Sequence, residues 1–158
     1  MREILFRGKR VDNGEWIRGD LITTPFIRNT TQQNIIYILD VTKADYDCFE
    51  DLVEDNGIFE VDPETVCQYT GLTDKNGRKI FEGDIVRDIF NASVVGIVRY
   101  GEYCNTFNDD KHGGHAGFYV KWKDKADLLR KDLVYWVKNS EFIGNIFDNP
   151  DLIGHETA

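Results

Sequence analysis

The sequence predicts a mainly β protein, a small barrel or roll with one short helix. Three observations carry that expectation. Short runs rich in Ile, Val, Phe, Tyr and Trp recur along the chain, bounded by Gly, Asn and Asp. Tight-turn signals, Asn13-Gly14 and Asn76-Gly77, separate such runs, because both residue types tolerate positive φ. Only one stretch, around Tyr46, Phe49, Leu52 and Val53, repeats its apolar residues at three- and four-residue spacing.

Taken in order, Ile4 and Phe6 lead through Arg7-Gly8-Lys9-Arg10 to the Asn13-Gly14 turn, and Trp16 and Ile17 resume the apolar pattern as far as Leu21-Ile22. This predicts a hairpin, with Gly19 at a bulge or a close backbone approach. Thr23 to Gln33 is polar and contains Pro25, and reads as a loop. Ile35 to Leu39 reads as a buried strand. Asp40 to Glu64 holds ten acidic residues against one base, Lys43, and carries the helical spacing, with Asn56-Gly57 as its stop. Ile58 to Val61 reads as a strand, and Pro63 to Val66 as a helical turn or a strand.

The segment from Thr65 to Arg87 is the densest in structural signals. Strand residues around Tyr69 and Leu72 precede the Asn76-Gly77 turn, Ile80-Phe81 follow it, and Glu82-Gly83-Asp84 forms a second turn into Ile85-Val86. Gly71 and Gly77 are expected at positive φ, with Thr70, Gln68 and Asp84 bonding backbone groups at strand corners. Val94 to Tyr100 and Gly117 to Trp122 read as further strands, joined by a long glycine-rich loop from Gly101 to Gly117. Leu133 to Val137 and Glu141 to Ile146 complete the apolar pattern before Asn149-Pro150. The expected division is 1–62, holding the hairpin, a strand and the short acidic helix, and 63–158, holding the barrel.

Composition narrows the function classes. The 158 residues suffice to bury a core, and 41% apolar content requires no staple. A net charge of −9 argues against general phosphate-backbone or anionic-membrane binding. No apolar run approaches membrane-spanning length, the first ten residues lack a signal-peptide core, and Cys48, Cys67 and Cys104 form no CxxC pair. A cytoplasmic protein with buried thiols is therefore expected, without cofactor.

The sequence offers five candidate chemistries. Cys104, His112 and His115, with Asp109 or Asp110, have part of a zinc spacing but lack the second close pair that structural zinc sites bring. Glu82 and Asp84 could divide acid and base roles, yet a carboxylate beside Gly83 more often shapes a turn. Neither serine, Ser93 or Ser140, lies in a nucleophile elbow, His155 sits in the tail, and no phosphate-binding glycine loop occurs. Arg7, Lys9, Arg10, Arg18 and Arg28, and Lys121, Lys123, Lys125, Arg130 and Lys131 near Trp122 and Phe118, resemble a single-strand platform, but Asp124, Asp127 and Asp132 interleave the second group. The acidic run from Asp40 is a solvated face or a surface for a basic partner. No catalytic, cofactor-binding or metal-ligating residue is assigned on these grounds.

The run from Thr65 through Gln68-Tyr69-Thr70-Gly71-Leu72-Thr73-Asp74-Lys75-Asn76-Gly77 to Ile80-Phe81-Glu82-Gly83-Asp84-Ile85-Val86 closely resembles the signature of the YopX family of phage and prophage proteins. Phe6-Arg7-Gly8-Lys9, the Trp16 hairpin and Ile143-Gly144-Asn145-Ile146 with Asn149-Pro150 also resemble it. The family often has Tyr where this chain has Phe81, and the loop from Gly101 to Gly117 matches no family pattern. The resemblance implies a phage or prophage origin, a bacterial cytoplasmic setting, an SH3-like barrel in the C-terminal part, and self-association as a homo-oligomer. It supplies no functional residue. The function expected is a non-catalytic accessory module that binds itself or a host or phage protein. A metal-assisted enzyme using the Cys104 to His115 loop is the alternative, and single-stranded nucleic-acid binding a weaker one.

Overall fold

The structure, a computed structural model, describes residues 3–28, 31–40, 57–105, 114–123 and 130–154, with the backbone alone for 24–28 and 31–34. The expected helix over Tyr46 to Val53 lies outside the described residues. The chain divides into two compact units, Met1–Tyr69 and Thr70–Ala158. Among the described residues, ten strands form two antiparallel sheets, of six strands in the order β4-β3-β2-β1-β5-β6 and of four in the order β10-β7-β8-β9. Among the described residues neither closes into a barrel.

In the first unit, β1 (Phe6–Lys9) pairs with the start of β2 (Trp16–Arg28) across the Asn13-Gly14 turn, placing Lys9 opposite Trp16 and Phe6 opposite Gly19. β2 then runs on against β3 (Thr31–Leu39), from Asp20 opposite Leu39 to Arg28 opposite Thr31. The expected loop over Thr23 to Gln33 is therefore wrong: Thr23 to Arg28 and Thr31 to Gln33 are strand, paired as a long two-stranded arm. Backbone parity explains how Pro25 fits it. The Val61 N–H donates to the Ile36 carbonyl and the Asp40 N–H to that of Gly57, so even-numbered β3 residues turn their backbone groups toward β4 (Ile58–Glu60) and odd-numbered ones toward β2. With Ile22 opposite Tyr37, even-numbered β2 residues bond β3 and odd-numbered ones face away. The Pro25 nitrogen thus lies on the side that has no strand partner among the described residues, where a missing N–H costs no ladder bond.

The sheet curls back on itself. Val61 bridges Arg10, the Val11 N–H donates to the Glu60 carbonyl at 3.0 Å, and the Asp62 N–H to that of Lys9 at 2.8 Å. Ile17, Ile38 and Val61 are buried inside the curl, with Phe6, Leu21, Ile36 and Phe59 packed around them. A 3-10 turn, Pro63–Thr65, follows. The Asp62 carboxylate accepts from the Glu64 N–H at its start, and the Thr65 hydroxyl accepts from the Lys9 N–H at 2.8 Å.

β5 (Cys67–Thr73) begins against β1, with Arg7 opposite Cys67, and ends in the second unit. The turn to β6 (Lys79–Phe81) follows the sequence expectation: Gly71 and Gly77 have φ of 84° and 79°, and the Asp74 carboxylate accepts from the Asn76 and Arg78 N–H groups. Glu82-Gly83 then turns the chain into β7 (Asp84–Asp88), which pairs with β8 (Val95–Tyr103) and β10 (Ser140–Asn145).

β8 and β9 (His115–Trp122) form the other long hairpin. They extend into the segment expected as loop: Gly101 faces Gly117, Glu102 faces Ala116 and Tyr103 faces His115. Val86, Val98, Val120 and Trp122 are buried on one sheet face under α1 (Leu133–Asn139), which contributes Leu133, Trp136 and Val137. Those three follow helical spacing, a finer pattern than the apolar run expected over Leu133 to Val137. Seven residues cannot sustain a helix in water. Packing holds this one, since burying each large apolar side chain is worth roughly 1.5–3 kcal/mol. The cross-strand pair Ile85 and Ile97 lies on the opposite face and is also buried. After β10, the Asn145 carboxamide oxygen accepts from the Phe147 and Asp148 N–H groups, and a 3-10 turn, Pro150–Ile153, follows. No helix among the described residues is long and apolar enough to cross a membrane.

Candidate functional site

A connected polar cluster lies where β8 and β9 meet the start of α1. Asp132 bridges Tyr119 and immediately precedes the helix, so its carboxylate sits beside the end of β8. The Tyr103 hydroxyl donates to Asp132 Oδ1 at 3.1 Å, the Asn105 amide to Oδ2 at 2.8 Å, and the Arg130 Nε also to Oδ2. Asn105, buried, accepts from the Lys131 N–H at 2.7 Å. The Arg130 carbonyl accepts from both the Trp122 and the Trp136 indole N–H, at 3.0 and 2.6 Å. Tyr103 stacks on Tyr119 at 5.1 Å and lies 5.3 Å from His115.

The electrostatics follow from those contacts. Burial pushes the Asp132 carboxyl upward, but hydrogen bonds from Arg130 and Tyr103 and the Arg130 charge outweigh it, and the carboxyl ends below its ordinary range. Burial, reinforced by the bond to Asp132, holds the Tyr103 hydroxyl above its ordinary range. The carboxylate stays ionised and the phenol stays protonated at neutral pH, an arrangement that fastens residues 130–132 to the hairpin. Neither the Asp132 carboxyl nor the Tyr103 hydroxyl is thereby poised near neutrality.

The sequence candidates fall as follows. Cys104 is exposed just beyond β8, and His115 starts β9 opposite Tyr103. His112, Asp109, Asp110, Lys125 and His155 lie outside the described residues, among which no three His, Cys, Asp or Glu side chains are grouped to hold a metal ion. Asp84 is fully buried. Its Oδ2 accepts from the Phe81 N–H at 3.0 Å and lies 3.5 Å from the Arg78 guanidinium, so it serves the Gly83 turn. Glu82 accepts from the Tyr100 N–H at 3.4 Å. Trp122 is only 3% exposed, which leaves no open ring face for a base to stack on. Arg7 is buried with its guanidinium 4.9 Å from the Trp16 ring, Lys9 lies over the same ring, and Arg10 pairs with Asp12 over Phe59. The Lys123 ammonium donates to the Ile153 carbonyl at 2.6 Å. Sequence reasoning missed Tyr103, Asn105 and Asp132. The available signal was an Asp directly before Leu133, Trp136 and Val137 at helical spacing.

The model of the YopX family matches residues 5–154. The chain belongs to the YopX family. That span takes in both units of this YopX protein, from the β1–β2 hairpin to the Pro150 turn. Among solved proteins it is similar to protein EF1440 from Enterococcus faecalis, known from a crystal structure, at 20% identity over 97% of this chain and 99% of that one, with a TM-score of 0.44. No curated protein matches it.

Proposed function

We propose that this YopX protein is a non-catalytic accessory protein of phage or prophage origin, acting in the bacterial cytoplasm as a protein-binding or self-associating β module. One observation carries the reading: large apolar side chains stand in solvent around α1. Phe90 is 78% exposed and Val134 67%, with Ile89 and Tyr135 exposed as well. The Ile89 N–H donates to the Asn139 carbonyl at 3.5 Å, placing the turn that bears Ile89 and Phe90 at the C-terminal end of the helix that bears Val134 and Tyr135. Exposed apolar surface of this kind is what protein partners cover. By contrast, Asp74, Asp84 and Asp132 are engaged in turns and junctions of the fold. An SH3-like barrel in the C-terminal part belongs to the same proposal, supported by the four-stranded antiparallel sheet capped by a short helix.

Light scattering combined with affinity capture from induced host cells tests the reading. The expected result is an oligomer, or a defined partner that a Phe90→Ser, Val134→Ser double variant fails to bind. A monodisperse monomer that captures nothing overturns it.

A further inference from the structure

We infer that the β3 edge of the two-stranded arm is a self-pairing surface, joining two copies of this chain through antiparallel β3–β3 contacts about a two-fold axis near Gln33. This rests on the self-association half of the function proposed above and assigns it a place.

Among the described residues, the arm has two backbone edges without strand partners. On β2, pairing with β1 ends at Gly19, and on β3, pairing with β4 begins at Tyr37. By parity, Leu21, Thr23, Pro25 and Ile27 direct their backbone outward on the β2 side, and Gln32 and Asn34 do so on the β3 side, the Ile36 carbonyl being taken by Val61. The two edges differ in how they are guarded. Unpaired edges are normally protected by proline or by charged side chains. The β2 edge has Pro25 at its middle, whereas the β3 edge has neither proline nor charge from Thr31 to Leu39. Residues 21–39 carry a single charged side chain, Arg28, in a chain that is 30% charged overall.

The occupant follows from charge and symmetry. Two copies each bearing −9 repel one another across most of their surface, and the uncharged arm is where that repulsion opposes approach least. An antiparallel edge is complementary to itself: with the axis at Gln33, Gln32 of one copy and Asn34 of the other exchange N–H to carbonyl bonds reciprocally. Pairing also supplies what the arm lacks, since an isolated two-stranded ribbon is marginal in water and the joined arms make a four-stranded sheet.

The test compares the full-length wild type with Asn34→Pro and Thr23→Pro by analytical ultracentrifugation across a concentration series. Both substitutions remove an outward N–H and leave the β2–β3 ladder its donors, but only the first lies on the proposed edge. Wild type and Thr23→Pro are expected to dimerise alike, and Asn34→Pro to lose at least tenfold in dimer affinity. Residue-resolved hydrogen exchange supplies the second readout, with the Gln32 and Asn34 amides slowing as dimer forms. The inference is overturned by a dimer indifferent to Asn34→Pro, by equal loss in both variants, by concentration-independent exchange at both amides, or by a wild-type monomer. If that monomer still captures a partner through the α1 surface, the binding-module reading survives; if it captures nothing, both fall.

Discussion

A Cβ built on Gly19 would lie 1.6 Å from the carbonyl oxygen of Leu39. No side chain fits there, because the obstacle is backbone and Leu39 is itself held in the β3 ladder opposite Asp20. Gly19 marks the position where β2 leaves β1 and continues only with β3. Gly19→Ala is expected to cost about 3 kcal/mol or more, above the usual range for added bulk, because the neighbour cannot rotate away. Chemical denaturation of the variant checks this, and a midpoint equal to wild type would contradict the packing.

Gly83 has φ of 78°, and its N–H donates to the Val98 carbonyl at 2.8 Å. Gly83→Val forces a β-branched residue into the left-handed region, at a cost of about 1–3 kcal/mol. Thermal melting should fall accordingly. Unchanged melting would mean the turn can be rebuilt without glycine.

The Thr70 hydroxyl donates to the Ile80 carbonyl at 2.8 Å and accepts from the Leu72 N–H at 3.2 Å, all beside the hairpin turn. Thr70→Val keeps the shape and removes both bonds, leaving a buried carbonyl without this donor. A loss of about 1–3 kcal/mol is expected by denaturant titration, with the denaturant slope unchanged.

For Asp132, the folded carboxyl is held below its unfolded value, so its stabilising contribution is complete above about pH 4 and is lost as pH falls through the folded pKa. Tyr103 has the opposite sign. Its raised hydroxyl contributes fully below about pH 10 and loses that contribution as pH rises through the folded pKa. Asp132→Asn should flatten the acid limb of the stability–pH curve, and Tyr103→Phe the alkaline limb. Measuring both limbs in both variants separates the two groups, and unchanged curves would show that the network carries no stability.

Pro25 allows a test that needs no loss of fold. Pro25→Thr restores an N–H on the open β2 edge and leaves the ladder to β3 as it was. Melting should move by no more than about 0.5 kcal/mol equivalent. Light scattering should report assemblies larger than the wild type's, since the guarded edge becomes able to pair.

Which parts of this architecture were readable in the sequence follows from how locally each is encoded. The Asn13-Gly14 and Asn76-Gly77 hairpins were legible because a tight turn is specified by two residues. The β3 and β7 strands were legible from the apolar runs Ile35 to Leu39 and Ile85-Val86, although of the first run only Ile38 is fully buried. Thr23 to Gln33 was not, since its Thr, Gln and Asn residues and Pro25 show none of the apolar alternation by which a half-buried strand is read, and they look like loop. The junction at Asp132 was hidden for another reason: Tyr103, Asn105 and Asp132 meet only through the β8–β9 register, and short stretches of chain carry no trace of that. Turn roles for Asp84 and Gly83 were legible because Asp84 bonds the Phe81 N–H three residues back and the positive φ of Gly83 is a property of the turn itself.

The placement of the indoles gives this protein built-in optical reporters. Its three tryptophans divide between the two units, Trp16 beneath the Arg7 and Lys9 cations in the first, Trp122 and Trp136 edge-to-face at 4.6 Å in the second. Emission from a Trp16→Phe variant therefore follows α1 leaving the sheet, and emission from a Trp122→Phe, Trp136→Phe variant follows the opening of the β1–β2 hairpin. Intrinsic fluorescence alone can time the unfolding of each half, with no dye or label attached.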